Sequence, residues 1–275
     1  MILLLSVDLD PGLAALRPLG GFFVLRASRP LPHRPLPTLA HAWREAPVGG
    51  PVGGPDGGLA HDPLAFRVRK VAAALRAPET RIAASVVHQG LAARLWAVTL
   101  GCAALYGRVP DLDPGLLHWD PDATAPDDLW LAEVRPRPGD AATVAEAVLD
   151  THLVPLTAAL RARHRLATGL LWGNAASALA GAARELDRWA RRHGRTDAAA
   201  RARSLTTGLL AHPLLTGTGT LTGTAFRRRS CCLYYRVPGG GVCGDCCFSL
   251  PSRPRSSLPP RSPGAPRSSP GAPSE

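Results

Sequence analysis

The chain has 275 residues, 45% of them hydrophobic and 5% aromatic, with a formal net charge of +11. That apolar content excludes general disorder, and the dominance of Ala and Leu favours helix over strand. From residue 227 onward, 8 Arg face 2 acids, so +6 of the charge lies there and +5 elsewhere; aromatics are not interleaved with the basic residues, and no nucleic-acid partner is expected.

Residues 1–7 form a short apolar run with no basic segment before it, and Asp8 and Asp10 follow at once, so a first strand is expected there rather than a signal peptide. A strand is also expected at 20–25, Gly-Gly-Phe-Phe-Val-Leu. Residues 29–63 read as loop, because Pro is frequent and Pro-Val-Gly-Gly occurs twice in succession from Pro47. The first helix spans about 63–77, and a second runs from Thr80, as N-cap, to Tyr106, with Gly107 as its stop. Its second half is apolar on nearly all sides and therefore buried. The longest apolar run, 91–105, contains Arg94 and falls short of the ~20 residues that cross a bilayer. No transmembrane segment is expected, and the chain reads as a soluble cytoplasmic protein.

Strands at 116–119 and 129–134, separated by a loop rich in Pro and Asp, predict a small antiparallel hairpin. Asp140 caps the next helix, which Pro155 bends or restarts. Across 170–192 the period is helical: Leu179, Ala183, Leu186 and Ala190 share a stripe, and Arg184, Asp187, Arg188 and Arg191 face away. Gly194 ends that helix, Asp197 caps another reaching Leu210, and His212-Pro213 stops it. Residues 216–224 alternate Gly and Thr and read as a loop or short strand. The predicted class is mainly α (α+β): a helical body with a small antiparallel β element and a C-terminal cysteine-rich loop. Three regions follow, a body at 1–226, a cysteine motif at 227–247 and a disordered tail at 248–275 rich in Ser, Pro and Arg.

Five of the 6 cysteines lie within 17 residues, in a Cys-Cys-x10-Cys-x2-Cys pattern formed by Cys231, Cys232, Cys243 and Cys246. In a reducing compartment such thiols are ligands rather than disulfides. Four thiolates suit either an iron–sulfur centre or zinc, although zinc sites pair two spaced half-sites and adjacent cysteines make a poor one. Adjacent side chains diverge, so Cys231 and Cys232 serve one site only if the backbone wraps it, which Pro238-Gly239-Gly240-Gly241 permits. Gly244 is expected to allow the turn between Cys243 and Cys246. Arg227, Arg228, Arg229 and Arg236 either tune this site or are simply solvated.

Residues 228–246, Arg-Arg-Ser-Cys-Cys-Leu-Tyr-Tyr-Arg-Val-Pro-Gly-Gly-Gly-Val-Cys-Gly-Asp-Cys, closely resemble the C-terminal signature of the FhuF-type ferric-siderophore reductases. Two upstream segments, 85–96 (Ser-Val-Val-His-Gln-Gly-Leu-Ala-Ala-Arg-Leu-Trp) and 171–179 (Leu-Trp-Gly-Asn-Ala-Ala-Ser-Ala-Leu), are similar to actinobacterial relatives. The resemblance spans roughly 10–247. It implies a [2Fe–2S] cluster held by Cys231, Cys232, Cys243 and Cys246, a ferric siderophore as substrate, and a body that binds it. The chain departs from the family in carrying Cys247, which is either a spare thiol or a competitor of Cys246 as fourth ligand, with Cys246 the expected ligand.

No P-loop or dinucleotide fingerprint is present. Electrons are therefore expected from an external donor, a ferredoxin or a flavin reductase. The alternative is a non-enzymatic iron–sulfur or zinc protein that senses iron or docks a partner. Cys102 reads as a core residue and His88 as a structural histidine, with substrate contact its rival reading. Trp172 and Asn174 read as core, with a pocket lining as the rival; Ser177 lacks the setting of a hydrolase nucleophile.

Overall fold

The computed structural model describes residues 9–27, 35–44 and 62–248. The expected strand at 1–7, most of the 29–63 loop and the tail beyond Phe248 lie outside the described residues. Helix α1 (Leu9–Ala14) leads through 3-10 turns at Arg17–Leu19 and Gly21–Phe23 into β1 (Arg26–Ala27). Helices α2 (Leu39–Trp43), α3 (Pro63–Leu75) and α4 (Thr80–Tyr106) follow. Short strands β2 (Arg108–Pro110), β3 (Leu117–Trp119), β4 (Leu129–Leu131) and β5 (Pro136–Pro138) fill the next connection. After them come α5 (Ala141–Ala145), a π-helical stretch at Glu146–Leu153, α6 (Val154–His164), α7 (Thr168–Arg192) and α8 (Thr196–Leu210). A hairpin of β6 (Gly219–Thr222) and β7 (Ala225–Arg228) and a 3-10 turn at Tyr234–Arg236 complete the order.

Local chemistry sets these boundaries. Asp62 caps α3 by accepting from the Ala65 N–H at 2.9 Å, and Pro63, which has no N–H to leave orphaned, opens the helix. Gly107 closes α4 at φ 68°, a conformation that glycine adopts without strain. The expected cap Thr80 is instead the first helical residue. Glu79 occupies the cap position, and its carboxylate pairs with Arg81 at 2.6 Å and Arg236 at 2.8 Å. Asp140 caps α5 as expected, accepting from the Thr143 N–H at 2.9 Å. Pro155 begins a new helix, one of the two outcomes expected of it. It sits at the start of α6, directly after the π-helical stretch, where a missing N–H is absorbed by a change of hydrogen-bond register.

Helix α4 is the axis of the body. Every residue from Arg94 to Ala104 is buried, and α3, α7 and α8 pack around it. Its Gly101 lets the Phe23 ring approach, since a Cβ there would stand 3.0 Å from Phe23. The predicted hairpin is present: β3 and β4 pair antiparallel with Leu117 opposite Leu131 and Trp119 opposite Leu129, all four buried. β1 adds to β4 in parallel, making a three-stranded mixed sheet.

Three expectations are corrected. The 20–25 strand is mostly 3-10 turn, because the buried Arg94 guanidinium draws the Gly21, Phe22 and Val24 carbonyls to itself and away from a neighbouring strand. Asp187 does not face solvent; it is 6% exposed, clamped by Arg191 and Arg203 at 2.6 Å each. Asp197 lies in the first turn of α8 without capping it, held well down at about 2 by its hydrogen bond to Arg195.

Candidate metal centre

The β6–β7 hairpin turns at Gly223, φ 60°, and delivers the chain to the cysteines. Gly219 admits no side chain, since a Cβ would meet the Arg227 carbonyl at 2.5 Å and collide with the Phe226 ring. After Cys231 and Cys232 the backbone reverses through Leu233 at φ 68° and the turn at Tyr234–Arg236. Gly239 and Gly241 take φ 74° and 66°, and a Cβ on Gly240 would come 2.9 Å from the Tyr234 carbonyl. The glycine run turns the loop back on itself. Gly244 is not needed in that way: its φ is not positive, and the Cys243–Cys246 turn closes through the Cys246 N–H donating to the Cys243 carbonyl at 3.1 Å. The Arg228 N–H donates to the Asp245 carbonyl at 3.0 Å, tying the hairpin to that turn.

The sulfurs meet across the loop. Cys232 Sγ and Cys243 Sγ lie 3.5 Å apart, pairing the two halves of the motif rather than neighbours in sequence. The hydrogen bond the two thiols share lowers Cys232, with Arg228 assisting, and raises Cys243. Burial raises Cys231, as does repulsion from Cys232, Cys247 and Cys246. The Leu233 N–H donates to Cys231 Sγ at 3.3 Å and the Phe248 N–H to Cys246 Sγ at 3.4 Å. All of these thiols are free. Among the described residues, no three or more His, Cys, Asp or Glu side chains converge as ligands of one ion. The unit formed is a pair, and a pair is what each iron of a binuclear centre takes from the protein. Cys102 is remote in role, fully buried and pushed by burial up to about 12.

The loop is seated on α4 and α7 by polar groups that have no meaning until it arrives. Arg228, 2% exposed, donates to Asn174 Oδ1, to the Leu170 carbonyl at 3.3 Å, to the Ser230 carbonyl at 3.1 Å and to Gln89 Oε1 at 3.4 Å. Asn174 in turn donates to the Ser85 carbonyl at 2.9 Å, and Ser85 Oγ donates to the Cys232 carbonyl at 2.8 Å. Ser230 Oγ donates to the Gly169 carbonyl at 2.8 Å, where Gly173 leaves room for it. Asp245, 8% exposed, accepts from Ser177 Oγ at 2.6 Å and pairs with Arg184 at 3.4 Å. A buried polar group must find such partners or destabilise the fold.

The arginines divide accordingly. Arg228 is buried beside Cys232 and Cys243, Arg236 pairs with Glu79, Arg227 reaches the Cys247 carbonyl at 3.2 Å from the surface, and Arg229 is exposed. Ser85, Gln89, Gly173 and Ser177 carried no role in the sequence, although all lie in the two upstream segments quoted above. Asn174 is buried as expected, but as a junction of hydrogen bonds. His88 is structural: fully buried, 3.1 Å from Thr157 Oγ1, and lowered to about 3 by burial and by Arg228.

A helical body carrying a loop that brings two cysteine sulfurs together across its turn is an arrangement that suits a thiolate-ligated metal centre. Residues 85–219 match the family described as ferric iron reductase FhuF-like transporter, and residues 228–248 match the FhuF 2Fe-2S C-terminal domain. The chain belongs to the FhuF-type ferric reductase family, and its cofactor is a [2Fe–2S] cluster. The matched residues begin at Ser85, the first residue of the upper segment, and cover less than the 10–247 read from the sequence. No curated protein matches the chain. Membership supports a ferric-reductase type of redox function in general terms. Among the described residues no helix is long and apolar enough to cross a membrane.

Proposed function

We propose that the protein is a cytoplasmic ferric-siderophore reductase in which Cys231, Cys232, Cys243 and Cys246 hold the [2Fe–2S] cluster. The observation that carries this reading is the Cys232–Cys243 sulfur pair at 3.5 Å, inside the segment that matches the 2Fe-2S domain. Bound there, such a cluster accepts and gives up one electron at a time. Arg228 favours thiolate over thiol at Cys232 and adds positive charge to a site that is otherwise negative. The Leu233 and Phe248 N–H groups donate to the Cys231 and Cys246 sulfurs, hydrogen bonds that orient such ligands and draw charge from them. Ser177 and Arg184 hold the Asp245 carboxylate, so its charge does not face the sulfurs unpaired.

The substrate is iron(III) in a siderophore. Hydroxamate and catecholate oxygens are hard donors that suit iron(III) far better than iron(II). One electron therefore weakens the chelate, and iron(II) leaves it. The body, 1–226, binds the chelate, the segment 227–247 supplies the electron, and a ferredoxin or flavin reductase reloads it. Anaerobically purified protein, reduced with dithionite and mixed with a ferric siderophore and a ferrous trap, is expected to yield one trapped iron(II) per cluster oxidised. Cluster-loaded protein that stays reduced in the presence of the chelate overturns the reading.

A further inference from the structure

A cavity of about 480 Å³ opens between α4, α7 and the turn at Gly21–Phe23, and Cys243, Gly244 and Asp245 close one end of it. We propose that this cleft is the ferric-chelate site, with the chelate resting against the loop at Cys243; the inference rests on the reductase reading above.

The floor is made of side chains too small to fill it: Ala93 and Ala97 on one turn-spaced row of α4, Ala178 and Gly181 on α7. Such a surface takes the hydrocarbon backbone of a chelator by apolar burial. Phe22 forms the facing wall and stays 47% exposed, an unusual state for a ring with so much apolar area to bury. That wall is rigidly built. Arg94, paired with Asp128 at 2.9 Å in the interior, holds the carbonyls of Gly21, Phe22 and Val24. Polar side chains are few, namely Gln89, Ser177, Arg184, Glu185 and Asp245, and Ser177 and Arg184 are bonded to Asp245 beside the cysteines.

The charges in the lining are already matched, Arg184 with Asp245 and Glu185 with Arg188, so contact and shape rather than net attraction select the occupant. Its volume lies in the range of small-molecule sites, about 300–1,000 Å³, and its concave shape suits a molecule rather than the broad face of a protein. The cleft also touches Cys243, so no layer of protein separates an occupant from the loop. Iron(III) in the chelate gains one electron and becomes iron(II). The cysteine-held centre is oxidised by one, no covalent bond is made, and an external one-electron reductant restores it.

Gly181 provides the test. A Cβ there meets nothing nearer than Arg184 Nη2 at 3.9 Å, so position 181 has room for a side chain to begin, and Gly181→Trp is the substitution that would crowd the cleft. The holoprotein is titrated with gallium(III) complexes of a linear trihydroxamate and of a tricatecholate, which match the iron chelates in charge and size but are not reduced. Wild type binds one or both. In Gly181→Trp the Kd rises at least about tenfold, as does KM for the corresponding iron(III) complex, the loss of ~1.4 kcal/mol of contact. Phe22→Ala shifts both the same way. The EPR signal and the rate of oxidation by ferricyanide, which needs no cleft, stay at wild-type values in both variants. Unchanged gallium binding in Gly181→Trp, or no gallium binding by wild type, overturns the site. Gallium binding that Gly181→Trp abolishes, in a protein that does not reduce the iron complexes, sustains the site and overturns the reductase reading instead.

Discussion

Ser177 Oγ donates to Asp245 Oδ2 at 2.6 Å, joining the middle of α7 to the turn between Cys243 and Cys246. Both residues are buried, so the bond is shielded from water and the carboxylate depends on it. Ser177→Ala is expected to cost about 1–3 kcal/mol, the penalty of a buried charged acceptor losing a partner. Thermal melting of the holoprotein should show the loss, together with faster bleaching of the visible chromophore in a chelator.

Gly173→Ala tests the seat directly. The added methyl collides with Ser230 Oγ and comes within 3.3 Å of the Arg228 guanidinium. Overpacking of this kind costs ~1–3 kcal/mol, and here it falls on the loop's attachment rather than on the helix. The far-ultraviolet dichroism should stay near wild type while bound iron and acid-labile sulfide fall. Full cluster occupancy in this variant would contradict the seating described above.

Exchange of the cysteines for serine should separate ligands from bystander. Cys232→Ser and Cys243→Ser are expected to lose the visible and EPR signals and chelate reduction together. Cys246→Ser should do the same, whereas Cys247→Ser, whose backbone rather than sulfur is engaged by Arg227, should keep them. A cluster surviving in Cys246→Ser and lost in Cys247→Ser would reverse the assignment of the fourth ligand.

Arg228 is the buried cation nearest the paired sulfurs, and its charge favours the reduced state of the site. Arg228→Gln should lower the reduction potential by about 60 mV or more, roughly a tenfold change in a one-electron equilibrium. Arg228→Lys keeps the charge and should shift it less, while losing the forked contacts to Asn174 and the Leu170 carbonyl. A redox titration followed by EPR reads both.

Two buried histidines predict an acid limit to stability. Burial lowers His88 to about 3, with Arg228 adding to it, and lowers His152 to about 4. Both are neutral in the fold, whereas an unfolded histidine protonates near 6.5, so below that pH the unfolded chain binds more protons. Stability is thus complete above pH ~6.5 and falls as pH drops, by about 1.4 kcal/mol per pH unit for each histidine until its folded value is reached. His88→Phe should halve the slope between pH 6.5 and 4 in denaturant melts.

The parts of this fold that could be read from the sequence are those set within a few residues. Pro63, Gly107 and Asp140 mark helix ends by φ preference and local hydrogen bonds, and the helical period of α7 follows from its own stripe. The cysteine quartet is legible for the same reason, as a dense local pattern. Arg94 converting a strand-like segment into 3-10 turns was not legible, because its carbonyl partners lie some 70 residues away. Asp187 looked like a surface residue until Arg203 came back along α8 to cover it. Ser85, Gly173, Asn174 and Ser177 are ordinary helix residues in isolation, and only the returning loop gives them work. Their one signal was membership of the two upstream segments that resemble the family.

The order of these pieces along the chain has a further consequence. The receptor surface for the cysteines is spelled out between Ser85 and Arg184, well before Cys231, so translation makes the cradle first and its occupant afterwards. Because the loop is held by groups of α4 and α7, it has nothing to close against until those two helices are packed together.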